Sequence, residues 1–396
     1  MNPLAAHYSR FRVADRVLLT GHSHQAWPDA AFEAQQRAWL DAAEFVDSKW
    51  EKAEERAARV REGFARLLGD APANIALGQN THELVTRWLS ALPLRERPRI
   101  VTTDGEFHSI RRQIDRLDED GALAVIRVAA RPVETLAERL ALSVDDRTAC
   151  VMVSSVLYET AEIVPDLGRL ASVCDVRGAA LLVDAYHHLN VVPFDLASMG
   201  LTDAFVTGGG YKYCQLGEGN GFLRVPPGRH IRPVLTGWFA EFAALDAPRV
   251  DQRVRYGPGA AAFGGATYDP TSHYRAAAVF DFHVQQGLTP DRLREISRRQ
   301  VALLKSHFEA LDLSADVARV VPVPDAMRAG FLAIRTRRAA DLSRALRERG
   351  VFTDARGETL RLGPAPYLDD SQLAAGIAVL REGLKNGVGT TDAPTK

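Results

Sequence analysis

A chain of 396 residues, 46% hydrophobic and 25% charged, has the balance of an ordinary globular protein and is long enough for a large domain plus a smaller one. Its 49 basic and 50 acidic residues leave a formal net charge of -1, which gives no support to a nucleic-acid or anionic-membrane partner. The three cysteines, Cys150, Cys174 and Cys214, are odd in number and widely spaced, so neither a disulfide framework nor a metal site is expected. Met1–Arg12 has no apolar core of the kind a secretory signal carries, and no apolar run is long enough to span a bilayer, so a cytoplasmic setting is expected.

After a short N-terminal arm, amphipathic periodicity predicts helix over residues 29–68, interrupted near 47–49. A short strand at 74–77 leads into Gly78-Gln79-Asn80-Thr81 and a helix over 82–92. Strands follow at 99–103, 124–128 and 148–154, then a helix at 167–177 and an apolar strand at 180–183 that ends on Asp184. Two further strands, 204–207 and 221–225, flank a glycine-dense loop holding Lys212. Beyond Tyr274 the pattern changes. Helices cover 274–311 with a break at 287–290, and strands at 330–335 and 359–362 surround a helix at 340–349. Short apolar runs between amphipathic helices predict an α/β fold, with a mainly parallel sheet covered on both faces. The expected division is an arm and helix over 1–50 belonging to the small domain, a large domain over 51–273, a small α+β domain over 274–385 and a disordered tail over 386–396.

In such sheets ligands collect at the carboxyl ends of the strands. Asn80 and Thr81, His108, Asp184 and His187, and Lys212 all follow predicted strands, which points to one shared site. A lysine between two tyrosines and several glycines suits a loop whose backbone approaches a ligand, and a partly desolvated amine there can act as nucleophile or base. A surface turn with a passing lysine is the plain alternative. Asp184, at the end of a buried strand, needs a cation or several donors; the plain alternative is a carboxylate capping the next turn.

Taken together, Gly78-Gln79-Asn80-Thr81, Glu106-Phe107-His108, Val183-Asp184-Ala185-Tyr186-His187 and Tyr211-Lys212-Tyr213 resemble the class V branch of the fold-type I pyridoxal 5'-phosphate (PLP) enzymes. Within that branch the chain looks most like kynureninase. Thr236-Gly237-Trp238-Phe239 is similar to a Gly-Trp-Trp/Phe segment of that family, and the run from Thr353 through Asp354, Arg356 and Arg361 to Tyr367 is similar to its C-terminal region. The resemblance spans about residues 18–380. It implies a fold-type I PLP-dependent transferase fold, with a seven-stranded-type sheet and PLP held by Lys212 as a Schiff base. It also implies a homodimer with shared active sites, acting on a small-molecule amino acid.

By the same resemblance Asn80 and Thr81 meet the phosphate, with free N–H groups of a helix start favouring the anion, and Tyr211 and Trp238 donate further hydrogen bonds to it. Thr267 reaches the phosphate from the neighbouring subunit. His108 stacks on the pyridine ring, Asp184 pairs with the ring nitrogen, and His187 lies near the phenolic oxygen or the substrate. Arg361 clamps the substrate carboxylate. Lys212, Asp184 and His187 are thus the expected catalytic residues. Thr160 either faces the cofactor or belongs to a plain loop, and His188 and Arg356 read as structural.

The chain departs from the kynureninase pattern at Gly21-His22-Ser23-His24, which puts His22 and His24 at the expected substrate entrance. It also departs at Ser109-Ile110-Arg111-Arg112 and in Cys214-Gln215-Leu216 after the lysine. The expected reaction is hydrolytic Cβ–Cγ cleavage of kynurenine or a related γ-keto amino acid, with release of alanine. An aminotransferase or C–S lyase of the same class is the alternative. A cysteine desulfurase is disfavoured because no cysteine follows Cys214. A non-catalytic protein that retains the fold would not need the full set Asp184, His187, Lys212 and Arg361.

Overall fold

A 3-10 arm, Pro3–Phe11, precedes β1 (Val17–Leu18) and the helix pair α1 (Asp29–Phe45) and α2 (Lys49–Leu68) in a computed structural model that describes residues 2–248 and 251–385. The predicted interruption lies at Val46, whose φ of 48° no α-helix accommodates. α2 ends on Gly69, a left-handed residue that takes up the last carbonyls. The tail expected over 386–396 lies outside the described residues.

The large sheet is assembled from β2 (Ile75–Gly78), β3 (Arg99–Thr103), β4 (Ala124–Val128), β5 (Thr148–Ser154), β6 (Ala180–Asp184), β7 (Phe205–Gly209) and β8 (Gly221–Arg224). Its order is β2-β8-β7-β6-β5-β3-β4. Only β8 runs antiparallel to its neighbours, so the other six strands end on one edge. The interleaved helices are α3 (Thr81–Ser90), α4 (His108–Glu119), α5 (Leu136–Leu142) and α6 (Leu167–Val176). Alternate residues of one strand serve opposite cores: Val151, Val153, Leu181 and Val183 pack on one face, Cys150, Met152 and Leu182 on the other. That is why β5 and β6 read as continuous apolar runs.

The C-terminal part comprises α7 (Thr271–Gln285), α8 (Pro290–Glu309), β9 (Arg319–Val320), β10 (Leu332–Arg335), α9 (Ala339–Glu348), β11 (Val351–Phe352), β12 (Asp354–Arg356), β13 (Thr359–Leu362) and α10 (Asp370–Lys385). Its antiparallel sheet has the order β12-β13-β10-β9, and β1 adds to β11 in parallel. The small core draws on residues from Ala5 to Ala26 and from Phe282 to Leu384, whereas Ala31 of α1 and Ala276–Phe280 of α7 belong to the large core. The expected division is corrected accordingly. The arm joins the small core, but α1 packs against the large one, and α7 crosses the boundary because its two halves bury side chains in different cores. No helix among the described residues is long and apolar enough to cross a membrane.

Candidate active site

The loop between β7 and β8 turns Lys212 inward, where it is 4% exposed. Its Nζ shares a hydrogen bond with His187 Nε2 at 2.6 Å, and the rings of Tyr186, Phe107 and Tyr211 surround it at 4.5, 5.0 and 5.7 Å. Glycine is required beside it: a Cβ on Gly209 would stand 2.2 Å from Tyr186 Oη. Burial pushes the Lys212 amine down to about 7; Asp184 opposes that shift, while Arg361 adds to it. Burial and then the Lys212 and Arg361 charges hold His187 well below the usual imidazole range. Nδ1 of that neutral ring is buried without a partner among the described residues.

Asp184, at the end of β6, is buried, and its carboxylate accepts the Tyr186 N–H at 2.8 Å, the one hydrogen bond to that side chain among the described residues. Burial raises its pKa, with the Tyr186 N–H and the Lys212 charge pulling the other way. Across the sheet Ser154 pairs with Asp184, and Ser154 Oγ donates to Glu106 at 2.6 Å. Glu106 also accepts from Thr103 Oγ1 at 2.6 Å and from Ser154 N–H at 3.2 Å, and burial raises it to about 7. Sequence reasoning gave no role to Phe107 and Tyr186, which are neighbours of the lysine, or to Glu106, which lies beside Asp184. Their one signal was adjacency to the motif residues His108 and His187.

At the start of α3, the Asn80 side chain caps the helix by accepting the Glu83 N–H at 3.0 Å, while Glu83 reaches back to the Gln79 N–H at 2.9 Å. Thr81 Oγ1 is buried there without a partner. A Cβ on Gly221 would press on the Asn80 backbone at 2.8 Å, so glycine lets β8 and this turn close up.

From β13, Arg361 enters the same region. Its Nη1 donates to Tyr158 O at 2.5 Å and its Nη2 to Asp354 at 2.8 Å, leaving Nε unpartnered. Phe331 is the floor. Its ring lies 5.6 Å from the Arg361 guanidinium carbon, 4.7 Å from the His22 ring and 6.1 Å from the His187 ring. His24 is directed elsewhere: it is exposed, stacks on Tyr211 at 5.0 Å and lies 3.6 Å from Glu218. A cleft of 340 Å³ lies alongside, lined in part by Gly105, Arg131, Tyr158 and Thr160.

The remaining candidates stand apart from Lys212. The ring facing Lys212 is Phe107, not His108, which begins α4 and turns to Arg111 and Tyr158. Trp238 is 47% exposed and Thr267 is exposed, and neither is brought to Lys212 within the chain. Their two segments are instead joined to each other by the Phe239 N–H to Gly265 O bond, at 2.9 Å. Thr160 donates to Glu162 at 2.7 Å, a loop role, and His188 is a satisfied core histidine between Ser155 and Pro193.

Comparison with known proteins agrees with this architecture. Residues 293–380 match the family model of the kynureninase C-terminal domain. The chain is 24% identical over 333 residues to an uncharacterized aminotransferase, YcbU, of Bacillus subtilis, covering 83% of this chain and 84% of that one. It is 25% identical over 340 residues to a kynureninase of Bacillus cereus, covering 81% and 76%. Among solved structures, the cystine C–S lyase C-DES, with glycine covalently linked to its PLP cofactor, superimposes with a TM-score of 0.83 at 17% identity, over 96% of this chain and 99% of that one. The chain is therefore a relative of kynureninases and class V aminotransferases, built on the fold of the fold-type I PLP-dependent enzymes.

Proposed function

We propose that the chain is a PLP-dependent, kynureninase-like hydrolase that cleaves the Cβ–Cγ bond of a γ-keto α-amino acid and releases alanine. The observation that carries this reading is the buried pair Lys212 and Asp184 at the strand ends, ringed by polar atoms that lack partners. Those atoms fit PLP. The unpartnered Thr81 hydroxyl at a ten-residue helix start suits a phosphate. The buried Asp184 carboxylate, with one donor, suits a protonated ring nitrogen, and the unpartnered His187 Nδ1 suits a phenolic oxygen.

PLP, when bound, supplies an electron sink for negative charge at the substrate Cα. Asp184 would hold a proton on the ring nitrogen, and Phe107, which faces Lys212, would pack on the ring. Lys212, kept partly neutral at pH 7, is the base for the Cα proton, and His187 fixes its Nζ. Arg361 has spent two of its hydrogen bonds on Tyr158 and Asp354 and keeps further N–H groups for the substrate carboxylate. We place this activity in a cytoplasmic homodimer, with the exposed Trp238 and Thr267 segments donated to the partner's phosphate site.

Desulfurase chemistry is disfavoured by the cysteines: all three are buried, and burial holds the thiols of Cys174 and Cys214 up at about 12. The reading is tested by incubating the PLP-loaded protein with kynurenine, 3-hydroxykynurenine and simple amino acids without any keto acid, and identifying products by mass. Alanine plus a carboxylic acid supports it. Turnover only with a keto acid moves the protein to transamination, and failure to take up PLP sinks the whole reading.

A further inference from the structure

His22 is fully buried, and among the described residues neither ring nitrogen has a partner. Its position is fixed by β13. The Gly21 N–H donates to Gly363 O at 2.9 Å and Thr20 bridges to Gly363, fastening the His22 turn to the end of that strand. Gly363 lies two residues past Arg361, so the two share one side of the extended chain, and His22 stands on the side of the guanidinium. A Cβ on Gly363 would lie 2.2 Å from His22 Nδ1, so the ring occupies space that any other residue there would fill. The Nδ1 edge of the ring thus faces Gly363, and Nε2 is the nitrogen on the edge away from it. Burial, then Arg361, Lys212 and Arg356, hold the imidazole neutral, so it offers one N–H and one lone pair.

A buried polar ring left unmet on both nitrogens is unfavourable until something supplies the partner. No group of three His, Cys, Asp or Glu side chains among the described residues is placed to hold a metal. Under the PLP reading above, on which this inference rests, Arg361 takes the α-carboxylate and Lys212 works at Cα. The part of the substrate left to lie over Phe331 beside both is its side chain. We propose that His22 is a specificity-determining residue. Its Nε2–H donates to an oxygen on the γ-carbon of the substrate, so the site selects α-amino acids with a γ-carbonyl, carboxamide or carboxylate over aliphatic ones.

The test pairs 2-amino-4-oxopentanoate with norvaline, its carbon-matched partner without the oxygen. Each is titrated into the PLP-loaded protein while the visible absorbance of the cofactor is followed. The wild type should bind the oxo compound about tenfold or more tighter. His22→Phe should erase that ratio by weakening the oxo compound while norvaline binding holds, and His22→Gln, which keeps a donor, should restore part of it. His22→Leu reads the same contrast should the phenylalanine variant not fold. A ratio unchanged in both apolar variants overturns the proposal, as does equal weakening of both ligands, the mark of a structural histidine. A wild type that never takes up PLP is seen before any amino acid is added; it overturns the cofactor reading and this proposal with it.

Discussion

The depressed pKa of Lys212 can be read directly as a rate. Its amine is held at about 7 rather than 10.5, by burial first, against the pull of Asp184. At pH 7 an ordinary lysine is neutral in roughly 1 molecule in 3000, Lys212 in about half. Only the neutral amine attacks a carbonyl, so PLP should attach to Lys212 at pH 7 on the order of 1000-fold faster than to an exposed lysine of equal intrinsic reactivity. Mixing cofactor-free protein with PLP across about pH 5.5 to 9.5, and following the visible absorbance, measures this. Pyridoxal run in parallel separates the amine's titration from that of the phosphate. The initial rate should rise tenfold per pH unit up to about 7 and then level off, and Lys212→Arg should give no band. A rate that keeps climbing beyond about pH 9 refutes the reasoning, because it is the profile of a solvated lysine. Stability follows the same linkage. Unfolded, this lysine keeps its proton to about 10.5; folded, it releases it near 7. Between those values the unfolded state binds more protons, so the contribution of Lys212 to cofactor-free stability rises with pH across that window and is level below it.

Glu106 works in the opposite direction. Folded it titrates near 7 instead of 4.5, so the native state holds the extra proton between those values and its contribution to stability falls as pH rises through them; Glu106→Gln should flatten that slope in denaturant titrations. Thr81→Val removes a buried hydroxyl that has no partner, so the melting temperature of cofactor-free protein should hold or rise slightly. PLP affinity, read by equilibrium dialysis, should fall about tenfold, and an unchanged affinity would take Thr81 out of the phosphate site. Arg224 is buried, pairs with Asp70 at 2.5 Å and donates to the Thr202 and Ala204 carbonyls at 2.7 and 2.8 Å. Arg224→Met leaves Asp70 Oδ2 without its cation, while Oδ1 keeps the Ala71 N–H and Asn74 Nδ2 at 2.8 and 2.7 Å, and should cost about 3 kcal/mol in urea unfolding; a loss below about 1 kcal/mol would show that those two donors suffice.

Much of the fold is legible because the strands of the large sheet are buried on both faces. β5 has no exposed position, so its apolar run stands out without any periodicity. β1, β9 and β11 are two residues long, too short for any pattern to register. α4 buries only Ile110 and Ile114 among its twelve residues, so it does not announce itself. In the site, Lys212 and Asp184 are legible as polar residues in glycine-rich or apolar surroundings, and Arg361 only through the resemblance of its segment to a known family. Side-chain direction is not, and Phe107 and His108 show why. The two are adjacent, but α4 begins at His108, while Phe107 precedes it in an extended conformation with φ -65° and ψ 153°. The helical residue is therefore carried outward along the helix surface, and the extended one is left facing Lys212 at 5.0 Å. A motif read in sequence cannot see that change of backbone state between neighbours. The consequence is measurable. Stacking of one ring on another is worth about 0.5–1.5 kcal/mol beyond burial, so Phe107→Ala should loosen PLP by roughly 2- to 12-fold from this source alone, more once the lost contact area is added. His108→Ala, which gives up only its contacts with Arg111 and Tyr158, should change PLP affinity less than about twofold. The reverse ranking in equilibrium dialysis would mean that His108 swings inward when PLP binds, and that α4 begins one turn later in the loaded protein.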